Sequence, residues 1–263
     1  MKKKKKKSRA GSTLVIIIAL AVMIFAVYKL LTIYMDYRGS EKTYRSLEEQ
    51  YVDTGDDEEK TEGDGQWSDD IQISFEALKK ENPDIIAWIR FENLDDVHIS
   101  YPVLYSGDNT KYLRSDIYGN YHIAGCIFLE GLNQPDFSDY HSIIYGHNMK
   151  NTTMFGDLKR YKNEEDFYDD NQYFRIYTED KVYRYQIFSY HEVDEMSEVY
   201  TVGFGPDDEY QAFLDRMTES SLRDTGIHPT KDSRVVTLST CTKTAEDKRL
   251  AVHAVCVDEK PYK

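Results

Sequence analysis

Val235-Val236-Thr237-Leu238-Ser239-Thr240-Cys241 is a β-branched, apolar run that ends on a thiol, and Arg249 follows eight residues later. β-Branched residues pack well on a pleated surface, so the run reads as a strand. Leu250 to Val257 reads as the next one. A thiol at one strand end and a guanidinium at the start of the next can face each other. The thiolate is the nucleophilic form of cysteine, and nearby positive charge favours it. Cys241 and Arg249 are therefore a candidate active site that needs a proton-transfer partner from elsewhere in the chain.

The N-terminus sets the compartment. Lys2 to Lys7 and Arg9 form a basic block, and Leu14 to Leu31 is apolar apart from Tyr28 and Lys29. Extended to Tyr34, this segment has about the 20 residues that span a bilayer as a helix. Basic residues stay on the cytoplasmic side. The expected layout is a cytoplasmic segment at 1–12, a transmembrane anchor at 13–34, an acidic extracellular spacer at 35–70 and a catalytic domain at 71–263. The apolar stretch is long for a cleaved signal peptide, and no small-x-small site follows it.

Setting aside the seven leading basic residues, 26 Lys and Arg stand against 47 Asp and Glu. That excess excludes nucleic acid as a partner, because phosphate binding needs the opposite field. Cys126, Cys241 and Cys256 are the only cysteines. Three is not a disulfide framework. Cys126 and Cys256 lie in apolar runs and read as inert packing, with a bridge between them the alternative.

Asp36 to Asp70 reads as a short helical extension of the anchor followed by a spacer. After Ile71, apolar runs mark short strands near Ile85–Ile89, Tyr101–Tyr105, Gly125–Leu129 and Ser142–Tyr145. Others follow at Tyr173–Tyr177, Val182–Tyr190, Val235–Thr240 and Leu250–Val257. Pro102 points to an edge strand for the second, since proline cannot donate to a ladder. A short helix is expected over Ile73–Leu78 and another over Met154–Tyr161. A longer one is expected over Asp207–Leu222, with Tyr210, Phe213, Leu214 and Met217 on its core face. Many short strands with few helices give a mainly β fold, a barrel or a sandwich.

Of the seven histidines, His98, His122, His191 and His228 sit in polar or turn-like surroundings. His141 starts a strand and reads as exposed. His253 shares a strand face with Arg249 and competes for the catalytic role. His147 stands out in Tyr145-Gly146-His147-Asn148-Met149: Gly146 lets the chain turn, and the imidazole projects from a strand end. Alternation puts Tyr145 and His147 on one face, and Thr237, Ser239 and Cys241 on another. Nothing in the sequence makes these faces meet.

Thr237-Leu238-Ser239-Thr240-Cys241, the downstream Arg249 and the upstream Tyr145-Gly146-His147 together resemble a sortase, a cell-wall cysteine transpeptidase. Asp108-Asn109-Thr110-Lys111-Tyr112-Leu113, Met154-Phe155-Gly156-Asp157-Leu158 and the helix before the cysteine strand resemble class B. The resemblance implies an eight-stranded β-barrel with an N-terminal helix and an extra helix before the cysteine strand. It implies His147, Cys241 and Arg249 as the catalytic set, and Asn109, Tyr145 and Ser239 as groove residues. It implies cleavage of a surface protein's C-terminal sorting signal after threonine, through a thioacyl-enzyme, and transfer to a peptidoglycan amine. No Asp or Asn is placed to orient His147, so a dyad plus arginine is expected. The chemistry needs no metal and no cofactor, and Asp169-Asp170 reads as a solvated loop rather than a Ca²⁺ site. Thr242 follows the cysteine, and acidic residues come only at Glu246 and Asp247, so no acidic neighbour of Cys241 is given a role.

The alternatives are an anchored cysteine protease, a non-catalytic binding module and a pilin-polymerising class C sortase. The order of His147 before Cys241 and the cysteine at a strand end disfavour a papain-like protease. The spacer carries no lid motif of the kind seen in class C.

Overall fold

A computed structural model describes residues 9–54, 71–241 and 248–262. The basic block at Lys2–Lys7, the Asp56–Glu59 cluster, Thr242, Glu246 and Asp247 lie outside the described residues. The chain divides into two compact units, residues 1–42 and 43–263.

The first unit is the greater part of helix α1 (Arg9–Tyr51). Apart from Lys29 and the half-buried Thr32, its side chains from Leu14 to Met35 are exposed and mostly apolar on every face; Ile24 is 67% and Leu30 67% accessible. A helix that is apolar all round belongs in lipid or in a core. This one has mean hydropathy 2.8 over its most apolar window, which suits a membrane span.

In the second unit, the end of α1 belongs to the folded body. Tyr44, Leu47 and Tyr51, at i, i+3 and i+7, are buried. The Tyr44 ring meets Tyr101 edge-on at 5.3 Å, and its hydroxyl donates to the Gly125 carbonyl at 3.1 Å. Strand β1 (Val52–Asp53) then pairs with β2 (Gln72–Ile73). The helical extension of the anchor is thus longer than the sequence implied. A three-residue apolar stripe is too sparse to stand out among charged neighbours, yet it buries two tyrosines and a leucine.

Helix α2 (Phe75–Glu81) leads into β3 (Ile85–Phe91) and β4 (Ser100–Leu104). Then come β5 (Ile127–Leu129) and β6 (His141–His147). A 3₁₀ turn over Gly156–Lys159 runs into the single-turn helices α3 (Arg160–Asn163) and α4 (Phe167–Asp170). Strands β7 (Tyr173–Tyr177) and β8 (Lys181–Asp194) form a hairpin. Helix α5 (Asp208–Glu219) precedes β9 (Val235–Cys241) and β10 (Lys248–Pro261).

Eight strands close into a barrel in the order β10-β8-β7-β3-β4-β5-β6-β9. Pairs β4–β5 and β6–β9 are parallel and the others antiparallel. The sheet is therefore a barrel, not a sandwich, and closure leaves it without an edge. That corrects the expected edge position of β4, which lies between β3 and β5. Pro102 is tolerated because the parallel ladder to β5 covers only Val103 and Leu104, just beyond it. The expected helix at Met154 begins two residues later, at Gly156, because Met154 has φ 56°, which no right-handed helix contains.

Asp207 caps α5 by accepting from the Tyr210 amide at 2.9 Å, as a short oxygen side chain at an N-terminus does. The face predicted from the sequence is buried: Tyr210, Phe213, Leu214 and Met217 pack with Phe188, Val193, Val235, Ala251 and Val255. Truncating a buried phenylalanine such as Phe213 costs about 3–5 kcal/mol. Val235 shares a strand face with Thr237, Ser239 and Cys241, and Ala251 and Val255 share one with Arg249. Helix α5 therefore covers one end of the face whose other end carries the cysteine and the arginine.

Candidate active site

Three adjacent strands bring the candidate residues into one row. In the parallel ladder β6–β9, Tyr145 pairs with Ser239 and His147 with Cys241. In the antiparallel ladder β9–β10, Ser239 pairs with Ala251. The same register, two residues on, brings Arg249 level with Cys241. The two faces left unrelated by the sequence therefore meet. The Cys241 side chain lies outside the described residues; the backbone register gives its position. Thr240 locks the strands below the row, its Oγ1 accepting from the Leu250 amide at 3.0 Å.

Gly146 does not turn the chain: it lies inside β6, opposite Thr240. A Cβ there would come within 2.5 Å of Ile127 Cδ1 and 2.6 Å of Phe155 Cδ2. The glycine instead lets those side chains close over the strand just before His147.

His147 is buried, and its Nε2 lies 2.8 Å from the Leu113 carbonyl oxygen. A carbonyl only accepts, so Nε2 carries the hydrogen in this contact. The orienting partner that a triad takes from a carboxylate is here a main-chain oxygen. Leu113 ends a 3₁₀ turn over Lys111–Leu113. Asp108 nucleates that turn by accepting from the Thr110 amide at 2.6 Å and hydroxyl at 2.7 Å, and from the Lys111 amide at 2.9 Å. These bonds, the Thr110 hydroxyl's first, hold its carboxyl down at about 2. Behind the turn, Gly125 has φ 56°, and a Cβ there would sit 2.5 Å from the Tyr112 oxygen and 2.8 Å from the Leu113 oxygen.

Tyr145 and Asn109 share a carboxylate that sequence reasoning missed. Glu130 is buried just after β5, and its Oε2 accepts from the Tyr145 hydroxyl at 2.7 Å. Asn109 Nδ2 donates to Glu130 at 2.7 and 2.8 Å, while Asn109 Oδ1 accepts from the Gly131 amide at 2.8 Å. The Asn109 amide is thus engaged within the protein. The Tyr145 ring stacks on Tyr200 at 6.2 Å, and the Tyr200 hydroxyl meets Ser239 Oγ at 3.0 Å. Ser239 is fully buried. Tyr200 carried no signal in the sequence. Glu130, a carboxylate straight after an apolar strand, carried a weak one.

Arg249 Nη2 donates to Glu195 Oε2 at 3.0 Å, and neighbouring Lys248 meets Asp194 at 2.7 Å. The guanidinium has five donors, of which this contact uses one.

His253 is not part of the row. It is fully buried, and its Nδ1 lies 2.8 Å from Thr237 Oγ1. Thr237 also meets His141 Nε2 at 2.7 Å, and His141 Nδ1–H donates to the Thr201 carbonyl at 2.8 Å. His141 is therefore buried under α5, not exposed, with its ring against Phe213 at 5.1 Å. Burial pulls His141 down to about 4 and His253 well below its ordinary value. His191, also buried, stacks on His253 at 5.0 Å.

Cys126 and Cys256 are free thiols and do not bridge. Burial pushes them up to about 12 and 11, respectively, far from the thiolate range. Asp169, weighed as a cation ligand, is held by Arg223 at 2.6 Å.

A sortase-domain family model matches residues 93–257, more than half of the chain. Sortase B of Staphylococcus aureus is 27% identical over 226 residues, covering 86% of this chain and 87% of that protein. Sortase B of Listeria monocytogenes is 30% identical over 172 residues, covering 65% and 68%. The crystal structure of sortase B from Bacillus anthracis superposes with a TM-score of 0.72 at 29% identity, over 86% of this chain and 99% of that one. The barrel, the helix before the cysteine strand and the apolar N-terminal helix of this chain fit that family, and the apolar helix makes this a membrane-anchored enzyme with a single span. The chain belongs to the sortase family, as a class B cysteine transpeptidase that cleaves sorting signals and anchors proteins to the cell wall.

Proposed function

We propose that Cys241 is the nucleophile of this transpeptidase, His147 its proton-transfer residue and Arg249 its oxyanion donor. The observation that carries the reading is the register that aligns the three on β6, β9 and β10.

The Cys241 thiolate attacks the carbonyl carbon of a threonine in the C-terminal sorting signal of a surface protein. The S–C bond forms, and the carbonyl π pair moves onto oxygen. Arg249 donates charge-assisted hydrogen bonds to that oxyanion. The C–N bond then breaks as His147 gives its proton to the leaving amine, and a thioester remains. An amine of a peptidoglycan precursor attacks the thioester, His147 takes its proton, and the thiolate departs. Because the Leu113 carbonyl accepts from Nε2–H in both ionisation states, the proton His147 gives and takes is the one on Nδ1. Tyr145, beside the row, lines the sorting-signal groove; Ser239 is fully buried and backs that groove through the Tyr200 hydroxyl, and the Asn109 amide is taken up by Glu130 and Gly131 and holds the turn instead of the signal.

The basic N-terminus keeps residues 1–12 in the cytoplasm and puts the barrel outside. Residues 43–54 and 71–263 make up the extracellular catalytic body. Labelling intact cells with a membrane-impermeant reagent tests this: an unlabelled barrel would reverse the orientation.

A panel of threonine-containing sorting peptides, with and without an amine, tests the chemistry. A solved sortase B that is 29% identical, with a TM-score of 0.64, is a complex with triglycine, so triglycine is the first amine to use. Wild type is expected to give a thioester adduct on intact mass and a peptide–triglycine product, and Cys241→Ala neither. Arg249→Ala is expected to slow acylation by about 10²–10³. Full turnover by Cys241→Ala sinks the nucleophile. Hydrolysis of every peptide with no transfer to any amine favours the protease reading.

A further inference from the structure

His147 is supported from two sides, and both supports end on one buried carboxylate. On its own strand, Tyr145 lies two residues before it and donates to Glu130 Oε2 at 2.7 Å. Across the site, the Leu113 carbonyl that takes His147 Nε2–H belongs to the turn that begins at Asp108. That turn is tied down through Asn109, whose Nδ2 donates to Glu130 at 2.7 and 2.8 Å. Asn109 Oδ1 takes the Gly131 amide, next to Glu130 in the chain. Glu130 Oε1 also accepts from the Leu132 amide at 3.3 Å, so the carboxylate is held by its own loop as well.

We propose that Glu130 is a positioning residue for the transpeptidation. By clamping the Asn109 turn to Tyr145 of β6, it holds the Leu113 carbonyl against His147 and keeps that imidazole in the Nε2–H form. The remaining ring nitrogen then faces the chemistry. Chemistry explains why this site takes a carboxylate. Both clamped partners donate, and an ionised carboxylate is an acceptor only. A glutamine of the same shape turns one acceptor into a donor, which then faces the Asn109 NH₂ or the Tyr145 hydroxyl. Every acceptor direction of Glu130 is aimed at protein, so it acts through His147 and not on the substrate.

The proposal rests on His147 being the proton donor, and two measurements keep the two ideas separate. The first needs no turnover. Long-range ¹H–¹⁵N spectra of the histidine rings read the His147 tautomer and its titration in wild type and in Glu130→Gln. A single Nε2–H tautomer is expected in wild type, and a mixture with a displaced titration in the variant. An unchanged tautomer and titration overturn the proposal, whatever the activity.

The second measurement is single-turnover acylation of Cys241 by two forms of one sorting peptide. One has its normal amide leaving group. The other has an aryl thioester, which leaves without being protonated. Glu130→Gln is expected to slow the amide at least about tenfold, part of the 10²–10⁴ that a positioned acid contributes, and to leave the thioester nearly unchanged. An equal loss on both forms overturns the proposal in favour of a distorted groove. If His147→Ala acylates with the amide as fast as wild type does, the proton-donor assignment itself fails. Asn109→Ala guards against misfolding, since it cuts the tie to the turn and leaves the Tyr145 bond. It is expected to show the same amide-selective loss, with Glu130→Gln adding little on top, as coupled neighbours do.

Discussion

Two histidine sites share one face of the barrel, and only one of them is suited to chemistry. His141 and His147 lie on the same strand, six residues apart and on the same side; on β9, Cys241 pairs with His147, while Thr237, two residues past the partner of His141, reaches its imidazole by a hydrogen bond, and His253 and Arg249 follow on β10. Under α5, the face carries a buried hydrogen-bonded chain from the Thr201 carbonyl through His141 and Thr237 to His253. At the other end, His147 Nε2 meets the Leu113 carbonyl, and a cysteine and an arginine complete the row. Burial under an apolar helix disfavours the charged imidazolium, which pulls the inner histidines toward permanent neutrality. A group held neutral cannot donate protons near neutral pH. Residue type and strand position are shared, and the covering helix makes the difference.

The largest effect expected from breaking the comparison is on His147. His147→Ala should slow acylation by about 10²–10⁴ with little change in melting temperature, as loss of a positioned acid does. His253→Asn should do the reverse, lowering stability by about 1–3 kcal/mol for a disturbed buried hydrogen bond while leaving the rate constant of the folded enzyme unchanged. Peptide acylation and thermal melts on both variants check this, and a swap of the two phenotypes would reverse the assignment.

Acid should unfold the protein from the inner site. The unfolded chain binds protons at His141 near the ordinary value of 6.5, the folded chain only near 4. The stability from burying it neutral is complete above about 6.5 and is lost as pH falls toward 4. For His141 alone this amounts to something on the order of 3 kcal/mol. Urea unfolding from pH 7 to 4 should show the decline, and His141→Gln should flatten it. An equally steep decline in that variant would move the cause elsewhere.

The smallest effect sharpens the outer site. The Arg249–Glu195 pair is partly exposed, so Glu195→Gln should change stability by no more than about 1 kcal/mol. A loss of several kcal/mol on denaturation would mean that the pair is structural and not merely a resting contact of the guanidinium.

Much of this was legible in the chain. The strand runs, the capped amphipathic helix at Asp207, the apolar N-terminal segment and the three catalytic candidates all depend on local periodicity or on the order of residue types. Other features depend on what lies opposite in space. The edge reading of β4 failed because barrel closure depends on which strands neighbour it. His141 looked exposed because the helix that covers it lies well over sixty residues downstream. Leu113 was invisible because its contribution is a carbonyl, which every residue has. Glu130 gave only a weak signal, as a carboxylate straight after an apolar strand, because its partners are 15 and 21 residues away and on different segments.

The sequence by itself determined the kind of protein: an anchored, acidic, mainly β chain with a thiol, an imidazole and a guanidinium in sortase order. Those properties follow from composition and from the two-residue and 3.6-residue periods of strand and helix. Only the tertiary structure decided that the three groups stand in one row, which histidines stay uncharged, and which carbonyl and carboxylate hold His147. The reason is that register, burial and hydrogen-bond partners belong to pairs of distant segments, and local sequence does not encode which segments become neighbours.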